Sequence, residues 1–182
     1  MLTAATELVS STGTGGVFIN ELDAVQLGNS TGGINATTSG NIDIQTGGAI
    51  TTGNSIVANS GNIDINNTSG SANYSNAITS GGVGAVTLNS AGLLTLTSTG
   101  DITSGGAVNL TGAMGISTAG NVTTSGALVN YNSATTLTGG ILIDTTNAGG
   151  SAAGGTVTFS STLDGGQSLG IAAGTAGDVI FS

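Results

Sequence analysis

Pairs of apolar residues flanking a single polar one recur along the whole chain at a nearly fixed distance. Ile42 and Ile44 flank Asp43, and the segment Gly40-Asn41-Ile42-Asp43-Ile44 returns as Gly61-Asn62-Ile63-Asp64-Ile65. Gly84-Ala85-Val86-Thr87-Leu88 is followed 22 residues later by Gly106-Ala107-Val108-Asn109-Leu110. Gly155-Thr156-Val157-Thr158-Phe159-Ser160 returns as Gly177-Asp178-Val179-Ile180-Phe181-Ser182. Alternation with a period of two turns one side of an extended segment inward, so each unit reads as a short β-strand. Strands are expected at Val17–Ile19, Ala24–Leu27, Ile42–Ile44, Ala49–Thr51, Ile56–Ala58, Ile63–Ile65 and Val86–Leu88. Further along they are expected at Leu93–Thr97, Val108–Leu110, Ala127–Val129, Ile141–Ile143, Val157–Phe159 and Val179–Phe181. No stretch carries apolar residues at helical spacing.

Many short strands can build an antiparallel sandwich or a parallel β-helix. The sandwich relies on tight hairpin turns such as Asn-Gly or Asp-Gly. Asn-Gly never occurs, and Asp164-Gly165 is the single Asp-Gly. Near-identical motifs one period apart favour stacking of like on like, as in a solenoid. The fold class is therefore all-β, a parallel β-helix of about 21–22 residues per turn. One coil spans 40–60, with strands near Ile42, Ile50 and Ile56, and the next three span 61–83, 84–105 and 106–125. The stretch 126–154 is too long for one turn and short for two, so an irregular loop is expected near 145–155. Residues 1–182 then form a single solenoid segment of roughly eight turns, a rod of about 38 Å at about 4.8 Å per turn. Stacking sets Ile42 under Ile63 and Ile44 under Ile65. Asn41 over Asn62 predicts an amide ladder, and Phe159 with Phe181 a ladder of rings in the core.

Composition changes this picture in one direction. Gly-, Ser-, Thr- and Asn-rich chains are often disordered, yet the apolar residues here (37%, with 3% aromatic) occupy matching slots. The core must be thin and aliphatic. Lys, Arg and His are absent, nine acidic residues give a net charge of −9, and there is no Cys. Phosphate backbones require cationic partners, so nucleic acid is excluded as a partner, and attraction to anionic lipid is disfavoured. No apolar run approaches membrane-spanning length, which argues against membrane insertion.

The segments Gly40-Asn41-Ile42-Asp43-Ile44-Gln45-Thr46-Gly47-Gly48-Ala49-Ile50 and Gly155-Thr156-Val157-Thr158-Phe159-Ser160 resemble the repeats of large bacterial surface proteins. These are filamentous-haemagglutinin-like adhesins and related β-strand-repeat exoproteins. The resemblance covers nearly the whole chain as repeat texture. It implies a right-handed β-helix, export to the bacterial surface or beyond, and a role in adhesion or fibre building. The family's secretion domain and outer-membrane barrel are not matched, so the chain reads as a shaft segment. Its partners would be neighbouring repeats of a longer chain, or copies of itself joined end to end, with cell-surface glycans as an outside ligand. The open strand motif at Asp178-Val179-Ile180-Phe181-Ser182 suits either form of stacking.

Candidate chemistry is sparse. Without His, Cys or Lys there is no ordinary base to activate a serine and no Schiff-base lysine, so no catalytic residue is assigned. The carboxylates Glu7, Glu21, Asp23, Asp43, Asp64, Asp101, Asp144, Asp164 and Asp178 read as solvated surface charge. An alternative is a carbohydrate-active enzyme using paired carboxylates, with Glu21, Asp23 and Asp144 as residues to test. Against it, the aromatics Phe18, Tyr74, Tyr131, Phe159 and Phe181 suggest no concave sugar platform. No cofactor is required. Calcium is the one the composition permits, bridging Asp43 and Asp64 if these stack outward one turn apart. Thr95-x-Thr97 and Thr156-x-Thr158 raise a second alternative, an ice-binding threonine array, although the neighbouring slots are irregular.

Overall fold

The computed structural model describes residues 6–182. Among them there is no helix, and three eight-stranded sheets run the length of the molecule, every named strand paired in parallel with the equivalent strand of the next coil. This is a parallel β-helix with three faces. One face is wide, built from five-residue strands such as Val17–Glu21, Ile42–Thr46, Ile63–Asn67, Val86–Ser90 and Val108–Gly112. The second face carries three-residue strands, including Ile50–Thr52, Ala72–Tyr74 and Leu94–Leu96. The third carries Ile56–Ala58, Ile78–Ser80 and Ile102–Ser104. Eight rungs at about 4.8 Å make a stack of about 35 Å.

The register explains why the repeat is visible. Ile42 partners Ile63, Ile63 partners Val86, and Val86 partners Val108, while Ile44, Ile65, Leu88 and Leu110 form the adjoining column. All eight side chains are fully buried. Burial alternates strictly on these strands, so each coil contributes its apolar side chains to columns that continue unbroken through the rod. A glycine leads each wide strand because the backbone corners sit directly on one another. A Cβ on Gly84 would lie 2.0 Å from the carbonyl oxygen of Gly61, and one on Gly61 would lie 2.3 Å from that of Gly40.

Inside the corners, small polar residues satisfy backbone groups that the ladders leave over. The hydroxyls of Ser80 and Ser104 donate to the carbonyls of Gly61 and Gly84, at 2.7 and 3.0 Å. The Asn67 amide donates to the Gly48 carbonyl at 2.9 Å. Two buried polar atoms lack such partners: the hydroxyls of Tyr74 and Tyr131 are enclosed without a hydrogen bond. Burial pushes both phenols above their ordinary titration range.

Several sequence expectations shift. The strand placed at Ala127–Val129 lies at Val129–Tyr131, because Leu128 faces outward. The stretch 126–154 forms a single coil, since Val129 partners Val157, 28 positions on. Its surplus residues lie between the strands Ile141–Asp144 and Val157–Phe159, where Asn147 and Ala148 adopt left-handed φ angles of 51° and 55°. The first described wide strand is also off the period, with Val17 partnering Ile42 25 positions on.

Candidate functional site

Outward side chains of the wide face stand in two rows, because its five-residue strands are long enough to turn two residues outward each. In the first row Phe18, Asp43, Asp64 and Thr87 are successive register partners. In the second Asn20, Gln45, Asn66 and Asn89 follow in the same order. Phe18, Ile19, Asn20, Asp43 and Gln45 line a shallow depression of about 290 Å³. Phe18 is 74% exposed. Its ring is nonetheless located, because it lies over Gly16, where a Cβ would meet Cε2 at 2.8 Å. Phe18 is a single exposed ring beside this depression and makes no stacking contact with another aromatic among the described residues. Sequence inspection missed it because its partner Asp43 lies 25 residues away, outside the 21–22 period.

Asp43 and Asp64 face each other across adjacent rungs. Partial burial, and then the charge of Asp43, raise the Asp64 carboxyl above the usual carboxylate value. Among the described residues no group of three His, Cys, Asp or Glu could hold a metal ion. Two carboxylates supply four oxygens at most, so a calcium ion bridging them would draw its remaining ligands from backbone carbonyls or water.

The carboxylates proposed for testing as an enzyme are not brought together. Glu21 is buried at 3% exposure, a correction to its reading as solvated charge. It occupies the inward corner position shared by Thr46, whose partner on the next coil is Asn67, and its Oε1 accepts from the Leu22 backbone N–H at 3.1 Å. Asp23 is exposed in the following turn. Asp144 lies five coils further along, on the third face. It organises its own loop, accepting from the Thr146 hydroxyl at 2.6 Å and from the backbone N–H groups of Thr146 and Ala148, both at 2.8 Å. These bonds, the Thr146 hydroxyl first, hold its carboxyl below the usual value.

Asn41 and Asn62 sit at the corner leading the wide face, but they form no amide ladder. Each Oδ1 accepts instead from a backbone N–H one coil on: Asn62 donates to Asn41 at 3.0 Å, and Ala85 to Asn62 at 2.9 Å. The chain is turning there, so that N–H has lost the carbonyl a strand would supply, and the side-chain oxygen replaces it. Asp101 and Asn121 do the same at another corner, for the N–H groups of Asn121 and Leu142. Side-chain pairing of amides occurs further up the wide face, where Asn130 donates to Asn109 at 2.9 Å.

Phe159 and Phe181 stack at 5.3 Å, and Tyr131 extends the series by stacking on Phe159 at 4.7 Å. Tyr131 and Phe159 are buried, whereas Phe181 on the last rung is 58% exposed, so the ring ladder is only partly in the core. Thr95 stands between Asn73 and Ser117, and Thr158 between Asn130 and Ile180, so neither belongs to a threonine array. Thr79, Thr103 and Thr123 do form a column on the third face, one residue wide. Compared with known family models, curated proteins and solved structures, the chain matches none of them.

Proposed function

We propose that this chain is a non-enzymatic shaft, a stiff spacer within an extracellular bacterial adhesin or fibre of the filamentous-haemagglutinin-like kind. One observation carries the reading: every sheet joins each coil to the next, so cohesion runs along one axis for the full length of the described chain. Such an architecture projects a surface away from an anchor and continues by adding coils. The composition supports it, since His, Cys and Lys, which enzymes commonly use for nucleophilic and acid–base work near neutrality, are missing.

Negative-stain electron microscopy of purified chain tests this. Rods about 35 Å long, or fibres made of them, are expected. Hydrolysis of a polysaccharide that is lost on Asp23→Asn or Asp144→Asn substitution overturns it.

A further inference from the structure

The lower part of the wide face differs from the rest of the surface in two ways. It holds the exposed ring of Phe18, seated over Gly16. It holds two carboxylates in register in a chain with no cationic side chain to neutralise them. The side chains of Asn20, Asp43, Gln45 and Asn66, like those of Thr87 and Asn89 next in the same rows, have no hydrogen-bond partner among the described residues and are available to a ligand.

We propose that the depression between Phe18, Asn20, Asp43 and Gln45 binds an amine-bearing saccharide, a chain of hexosamine units with free amino groups. Each group has a counterpart in that ligand. The Phe18 ring receives the C–H face of a sugar and attracts a nearby ammonium. The Asp43 carboxylate accepts a charge-assisted bond from the ammonium, and Asp64 on the next rung offers the same to a following unit. Asn20 and Gln45 present both donors and acceptors to hydroxyls about 7 Å along the strand from the first row. Competing ligands use less of the site. A divalent cation engages the carboxylates and leaves the ring idle. A neutral glycan leaves two like charges on adjacent rungs unrelieved. A lysine-rich peptide lacks the hydroxyls that the amide row would bind.

This deepens the glycan-facing side of the shaft reading and takes from it only that the outer face is free. Microscopy and binding can therefore fail independently. The test is calorimetric titration of the whole chain at low salt with a glucosamine hexamer, an N-acetylglucosamine hexamer and tetralysine. The glucosamine hexamer should bind at least about tenfold more tightly than either comparator. Phe18→Ala and Asp43→Asn should each weaken it about tenfold with unchanged circular dichroism, while Phe18→Trp retains it. Equal binding of the acetylated hexamer removes the role of the carboxylates. Equal binding of tetralysine reduces the effect to net charge. Absence of binding, or indifference to both substitutions, overturns the site.

Discussion

Replacing Tyr74 and Tyr131 by Phe should stabilise this protein, and should do so in a pH-dependent way. Both hydroxyls are enclosed with no partner. A buried polar group left unsatisfied costs about 1–3 kcal/mol, and Phe removes the oxygen while keeping the ring, including the 4.7 Å stack of position 131 on Phe159. Each single variant should therefore gain about 1–3 kcal/mol, read as a higher urea midpoint at unchanged slope. At this chain length each kcal/mol corresponds to about 2–4 °C in Tm. Alkaline conditions isolate the same two groups, because the chain has no Lys, Arg, His or Cys. Apart from the terminal amine, only these phenols titrate above the acid range. Their folded-state pKa values are raised by burial above the unfolded value of about 10. The associated stability is thus fully present below about pH 10 and is lost as pH rises beyond it, at up to about 1.4 kcal/mol per pH unit for each phenol. Urea titrations of the wild type and of the double Phe variant between neutral pH and strong base measure both effects. A wild type whose stability stays flat in alkali, or a Tyr131→Phe variant that loses 1 kcal/mol or more, would refute the reasoning by showing that the hydroxyls are solvated or bonded.

Other consequences are as direct. Gly84→Ala should cost about 1–3 kcal/mol by driving a Cβ into the Gly61 carbonyl, while Gly13→Ala, with nothing within 4 Å, should be near neutral in the same denaturation assay. Ala148→Gly should gain about 1 kcal/mol, because Ala148 holds a φ of 55° that glycine adopts freely; a loss would show that the methyl group packs. Leu88→Ala, deep in a continuous column, should lose about 2–5 kcal/mol in urea unfolding. Asp64 has a raised pKa, so its contribution to stability is present below the unfolded carboxylate value and lost above it. Asp64→Asn should therefore stabilise at neutral pH and do nothing in strong acid. Asp144 is shifted the other way, and Asp144→Asn should make its loop more open to proteolysis than the wild type at neutral pH, a difference that disappears in acid as the wild-type carboxylate is protonated.

The wide face was legible because each of its strands buries two apolar residues and is led by a glycine that the stacked corners demand, as at Gly61 and Gly84. The short faces were harder. Ala72–Tyr74, Ile78–Ser80 and Ile102–Ser104 went unmarked because one inward residue of each is small or polar, Ala72, Ser80 or Ser104, which leaves the alternation faint. Thr135 is buried although polar, which hid the strand Thr135–Leu137. Of the candidate site, Asp43 over Asp64 could be read from the 21-residue repeat. Phe18 could not, since its rung is displaced by the longer first coil. Glu21 looked like surface charge because nothing in a charge count shows which corner residues turn inward.

The axial pairing of coils has a mechanical corollary. Interstrand bonds lie along the rod, so a pull on its ends loads one rung at a time and peels coils successively. Each coil that yields frees about 22 residues, some 75 Å of extended tether, from an element that contributed about 4.8 Å of height. Stretching would show as a sawtooth of small equal drops, with an object a few nanometres tall lengthening more than tenfold before its backbone is taut.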